Sequence, residues 1–205
     1  MVDKKVVKSA GEHWVCSVLA RFNWAAALTR DGVERTDILA VHPEGGQISI
    51  QVKTISPSPK PRFPLGEKGC LPSVSESEWY VLVLLSELEW SSPRSFVIPR
   101  NHVAAATWIE HTEWLTNPTQ PVGRRNTPIS GARIRCDVFG RYEERWDLLK
   151  IPTSEVPILL PPKFRQLAQD ERVGLRLDHP WSGMLPPWDL SEDCSSWTEW
   201  MRSLD

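Results

Sequence analysis

Thr36-Asp37-Ile38-Leu39-Ala40-Val41, followed by Ile48-Ser49-Ile50-Gln51-Val52-Lys53-Thr54, is the stretch on which the fold turns. Each segment is short, apolar and rich in β-branched residues, which predicts two strands. Between them, His42-Pro43-Glu44-Gly45-Gly46 has the residues of a tight chain reversal, so the pair reads as a hairpin. Residues two apart in a strand share a face, which sends Gln51 and Lys53 one way and Ile50 and Val52 the other. Asp37 stands fourteen residues before Gln51, so an acid, an amide with a carbonyl and an ammonium meet at one end of the hairpin. That set suits a hydrated divalent cation beside a phosphate. A half-buried hairpin with a wet polar face explains the same residues, and spacing alone does not separate the two readings.

The preceding segment adds an acid. Ser9-Ala10-Gly11-Glu12 opens a run with apolar residues at Trp14, Val15, Val18, Leu19 and Phe22, a spacing of three and four that predicts a helix. A strand is expected over Trp24 to Leu28, then a polar loop from Thr29 to Arg35. Ser9 to Glu12 also fits a capping box, in which Glu12 does no more than satisfy the first amides of its own helix.

The ordered set Gly11-Glu12, Asp37 before an apolar strand, then Gln51-Val52-Lys53 in the next, resembles the PD-(D/E)XK nuclease superfamily with its restriction-endonuclease-like fold. That superfamily includes archaeal Holliday junction resolvases, and the match runs from about Lys8 to Pro99. The phrase Gly11-Glu12-His13-Trp14-Val15, with Gln51-Val52-Lys53-Thr54, is similar to a group of small bacterial proteins. Two positions depart from the pattern: Thr36 stands where a proline usually precedes the motif aspartate, and Gln51 stands for the second carboxylate. A carboxamide still offers an oxygen to a hard cation but brings no charge, which implies weaker metal binding. The resemblance implies a metal site built from Asp37, Gln51 and the backbone carbonyl of Val52, with Glu12 through water. It implies that Lys53 holds or polarises the attacking water and the phosphate.

The chemistry agrees with those assignments. Phosphodiester hydrolysis needs a nucleophile at neutral pH and relief of developing charge, and a divalent cation supplies both. Mg²⁺, or Mn²⁺, takes oxygen ligands and is satisfied by one or two carboxylates. Cys16, Cys70, Cys136 and Cys194 are dispersed, without the close pairs of a structural zinc site, and read as free thiols. None of the histidines has paired spacing, although His13 lies beside Glu12.

Composition bounds the rest. The 205 residues are 40% hydrophobic and 24% charged, as in a soluble domain with an extension. Nothing in the sequence approaches the length of apolar chain that a membrane span requires. Met1-Val2-Asp3-Lys4-Lys5 lacks a signal-peptide core, so the expected location is the cytoplasm. The net charge of −2 is not that of a protein that coats nucleic acid. Residues 1–68 carry ten Lys/Arg against seven Asp/Glu, and residues 151–205 five against nine, which suits local contact near the site.

After Lys53, prolines at 57, 59, 61, 64 and 72 predict a stiff loop to Ser77. Its Phe63-Pro64-Leu65-Gly66-Glu67-Lys68 is similar to a loop of the same bacterial proteins and places Lys68 within reach of a phosphate. Trp79 to Leu85 is continuously apolar, the pattern of a strand buried on both faces. A strand over Ser95 to Ile98, a helix from Pro99, a strand over Ala132 to Val138 and a short helix over Gly140 to Leu149 follow. Prolines from 152 mark a linker, then a helix over about Lys163 to Val173 and a tail, Cys194 to Met201 included, with four tryptophans among acids.

The expected architecture is therefore α/β. A central mixed sheet flanked by helices in α-β-β-β-α-β order occupies residues 1–150, with a Pro/Trp-rich C-terminal extension over 151–205. The expected function is divalent-metal-dependent cleavage of nucleic acid, DNA before RNA, in defence or repair. The alternative is a catalytically silent module of the same fold that binds nucleic acid or a protein. No membrane partner is expected, and the C-terminal extension leaves room for a homodimer or a protein partner.

Overall fold

The computed structural model describes residues 3–30, 34–119, 121 and 125–189. Helix α1 spans Lys4–Arg21 and is capped by Asp3, whose side chain accepts a hydrogen bond from the Lys5 amide at 2.9 Å. Its buried face is Gly11, Val15, Val18 and Leu19. The capping-box reading of Ser9 is thereby corrected. The helix begins five residues earlier because Asp3 caps it through the Lys5 amide, so Ser9 and Glu12 sit inside it. Glu12 is not occupied in capping.

Strands β1 (Ala25–Leu28), β2 (Ile38–Val41) and β3 (Gln47–Ile55) follow, paired antiparallel in succession with Ile38 opposite Ile50. The β2–β3 reversal closes through His42 N–H to the Gly46 carbonyl at 3.1 Å. Gly45 and Gly46 have φ of 99° and 100°, a region that side chains disfavour, which is why two glycines stand there. Strand β5 (Glu78–Leu84) is buried along its whole length and runs parallel to β3. Strand β6 (Arg94–Pro99) pairs antiparallel with β5, completing a five-stranded mixed sheet in the order β1-β2-β3-β5-β6. Helix α3 (Arg100–Thr116) starts directly after Pro99.

The proline-rich loop between β3 and β5 is more ordered than its composition predicts. It holds strand β4 (Arg62–Pro64) and the single-turn helix α2 (Gly66–Gly69), so the chain reads α1-β1-β2-β3, then β4, α2 and β5. Pro64 is tolerated because β4 pairs only with β7 (Arg133–Arg135), in a separate two-stranded sheet. The expected strand over Ala132 to Val138 shortens to β7, and the expected helix over Gly140 to Leu149 is instead two 3₁₀ segments, Cys136–Tyr142 and Trp146–Lys150. Glu144, with φ of 53°, breaks the run between them. Helix α4 covers Pro162–Ala168, shorter than the spacing predicts. Cys194 to Met201 lies outside the described residues.

The mixed α/β architecture expected from the sequence is the one observed: a five-stranded mixed sheet flanked by helices. Phe164, Trp181 and Trp188 join the same hydrophobic core as β5 and α3. Among the described residues no helix is long and apolar enough to cross a membrane.

Candidate active site

Asp37 is fixed by its backbone before its side chain acts. Its amide donates to the Ile50 carbonyl at 2.8 Å, and its carbonyl accepts from the Thr29 amide at 2.9 Å. Held between Thr29, just past β1, and the middle of β3, the Asp37 carboxylate reaches along β3 beyond the last β2 pair. Its Oδ2 accepts from the Val52 amide at 2.8 Å and from the Gln51 side-chain amide. The N–H and C=O of one strand residue point to the same side, so the Val52 carbonyl also faces the side of β3 on which Asp37 lies.

Glu12 comes to this point from α1 through a residue that sequence reasoning missed. Lys8 Nζ lies 3.2 Å from Glu12 Oε1 and 3.6 Å from Asp37 Oδ1. One ammonium thus sits between two carboxylates that are each only 13% exposed, on a side chain that is itself half exposed. The spacing of Lys8 and Glu12, i and i+4, is the usual helical ion-pair spacing. A helix taken to start at Ser9 hides it.

Lys53 follows Gln51 on the same face of β3 and is partly buried. Burial pulls its ammonium below the ordinary value of 10.5, Asp37 opposes that shift, and Lys8, Lys68 and Arg100 reinforce it. Lys68, on α2, pairs with Glu34 at 3.1 Å, an exposed contact of little energetic weight. His13 is turned back along its own helix, with Nδ1 2.8 Å from the Ser9 carbonyl.

Beneath the cluster lies a buried network that the apolar look of β5 conceals. Glu78 Oε2 meets Arg100 Nε at 2.7 Å and the Arg35 guanidinium at 2.9 Å. Arg100 donates to the Arg35 carbonyl at 3.0 Å and stacks over the Tyr80 ring, 4.7 Å from its centroid. Tyr80 stands opposite Gln51 in the parallel register, so this network supports the polar face of β3. The only sequence signal for it is Glu78, an acid leading an otherwise apolar strand.

Among the described residues no three His, Cys, Asp or Glu side chains gather as a metal-binding group. The donors around Asp37 are two carboxylates, the Val52 carbonyl and a carboxamide whose half-turn exchanges nitrogen for oxygen. All are hard oxygen donors, and one oxygen of each carboxylate lies within 3.6 Å of the Lys8 ammonium. The set fits a divalent cation of the magnesium type.

No family model matches the chain, and no curated protein matches it. Among solved structures the chain is similar to a bacterial homing endonuclease, at 15% identity and a TM-score of 0.37, over 49% of this chain and 68% of that one. A likeness of that size assigns neither a fold family nor an activity to this chain.

Proposed function

We propose that the chain is a divalent-metal-dependent phosphodiesterase acting on nucleic acid, DNA before RNA. The observation that carries this reading is the convergence of Glu12 and Asp37 on one cation, beside a lysine whose charge is disfavoured by burial. Asp37, Glu12, the Val52 carbonyl and the Gln51 carbonyl oxygen are the residues that would hold Mg²⁺ or Mn²⁺. A cation bound there would acidify a water and offset charge on the phosphate.

The chain's own residues supply the rest. The Val52 amide holds Asp37 by Oδ2, which leaves Oδ1, now 3.6 Å from Lys8 Nζ, facing the position a cation would take. Lys53, with its proton affinity lowered, orients the water, or the phosphate oxygen, through Nζ. Lys8, half exposed on a flexible stem, is the counter-ion that a bound cation would have to replace, and its ammonium would then remain near the substrate phosphates.

The same Lys8 contact favours a second reading, in which the ammonium is the permanent counter-ion of Glu12 and Asp37 and the fold only binds. Purified protein with Mg²⁺ or Mn²⁺, offered duplex, single-stranded and branched DNA, separates the two. Cleavage is expected, abolished by EDTA and reduced by roughly 10²-fold or more in Asp37→Asn and Lys53→Ala. Tight binding of DNA with no cleavage of any substrate supports the binding module and sinks the enzyme.

A further inference from the structure

Away from the Asp37 cluster, a cavity of about 650 Å³ lies among α3, β4, β7 and the start of α4. Glu110 on its wall is ten residues beyond Arg100, which is roughly 15 Å along the helix. Arg62, Arg133, Arg135 and Lys163 surround the cavity, against the carboxylates of Glu110 and Glu113. Glu110 Oε1 stands 3.8 Å from both Arg62 Nη1 and Arg135 Nε, longer than a hydrogen bond. Its Oε2 is buried with no hydrogen-bond partner, and so is Nε2 of the adjacent His111. Trp114 lines the same cavity, 38% exposed, with its ring 6.0 Å from the His111 ring.

Folded proteins rarely leave buried polar atoms unpaired, and two of them stand in the wall of one cationic, aromatic cavity. We propose that this cavity binds a nucleotide. The base lies against Trp114 with its N–H edge toward the Glu110 carboxylate. The phosphate is held among Arg133, Arg135 and Lys163. The volume falls in the range of small-molecule pockets. Aromatic rings retain any base by stacking, while guanidinium groups match phosphate oxygens in pairs. Guanine is the favoured base, since it carries adjacent N–H donors on one edge and Glu110 needs donors. Burial pushes the Glu110 carboxyl up despite the opposing pull of Lys163, Arg135 and Arg62, in keeping with that unmet need.

The nucleotide has two chemical sources, a free nucleoside phosphate or a nucleotide within a strand. The inference uses none of Glu12, Asp37, Gln51 or Lys53, so it stands whether or not the chain cleaves phosphodiesters. Calorimetric titration of the full-length protein in EDTA tests it, with GMP, AMP, inorganic phosphate and a short guanine-rich single-stranded oligonucleotide as titrants. GMP is expected to bind more tightly than AMP or phosphate. Trp114→Ala and the double variant Arg133→Ala/Lys163→Ala are each expected to weaken it roughly tenfold or more, while melting like the wild type. Binding of the oligonucleotide alone, with the same variant effects, assigns the cavity to a strand rather than to a free nucleotide. Inorganic phosphate binding as tightly as either ligand, titrations unchanged by both variants, or no binding at millimolar concentration overturns the proposal.

Discussion

A lysine placed with Asp37, Lys8, Lys68 and Arg100 in its electrostatic surroundings keeps its charge at a cost to the fold. Burial lowers the proton affinity of Lys53, so between its folded value and 10.5 the unfolded chain binds more protons. Stability from this group therefore rises with pH across that window and is least where the ammonium is fully formed. Lys53→Met is expected to melt no lower than the wild type at pH 7, with its advantage shrinking as pH approaches 10.5, while cleavage is lost. A Tm well below wild type at pH 7 would show that Lys53 is a stabilising core residue instead. Gln51 gives a second test at this scale. Its side-chain amide donates to Asp37, so Gln51→Glu sets two carboxylates against each other without metal and offers a cation a stronger site with it. The variant is expected to melt lower than wild type in EDTA and to gain more in Tm from Mg²⁺. An equal Mg²⁺ response in both proteins removes Gln51 from the site.

Elements position these residues through one close approach. A Cβ on Gly11 would overlap the Thr54 hydroxyl, so α1 lies against β3 with the Thr54 side chain in the space that any side chain at position 11 would need. That contact sets the height at which Lys8 and Glu12, one turn apart on α1, meet Asp37. Gly11→Ala is expected to cost about 1–3 kcal/mol, by displacing the helix or the strand. It should lower cleavage more than its effect on stability explains, because Glu12 moves away from Asp37. Chemical denaturation and a cleavage assay on the same sample check both halves, and an unchanged denaturation midpoint would mean that the helix accommodates the methyl.

For the whole molecule, the described C-terminal segment packs into the same hydrophobic core as the sheet. Tyr142 accepts a hydrogen bond from the Leu159 amide at 2.8 Å, so its own hydroxyl is left to donate to His102 Nδ1 at 2.6 Å. His179 Nε2 meets the Asn101 carbonyl at 2.9 Å, and Trp188 donates to the Leu160 carbonyl at 2.7 Å. Tyr142→Phe strands two buried polar atoms and is expected to cost about 1–3 kcal/mol. For a chain of this size that is roughly 2–4 °C in Tm for each kcal/mol. Complete burial lowers His102 to about 3, with His179 displaced the same way. The unfolded chain therefore takes up protons first, and stability is expected to fall as pH drops from 6.5 toward 3. Thermal melts across that range check it, and a flat profile would contradict the buried neutral imidazole.

Local pattern was enough for the strands at Asp37 and Gln51, the glycine reversal between them and the buried run of β5, because each is a matter of periodicity and turn chemistry over a few residues. Asp37, Gln51 and Lys53 stood out as candidates for the same reason, as polar groups beside apolar runs, whereas Glu12 and the Val52 carbonyl entered the candidate set only through the resemblance. Lys8 was not, because its meaning depends on where α1 begins, and a single capping bond from Asp3 decides that. Nor was the ion network of Glu78, Arg35 and Arg100, which joins residues 22 to 65 positions apart through the parallel pairing of β3 with β5. The cavity beside Trp114 belongs to the same class, since β4, β7, α3 and α4 meet there only in the folded chain. Side chains distant in sequence acquire partners, altered proton affinities or unpaired atoms only when packing removes the water between them, and no local pattern encodes that exclusion.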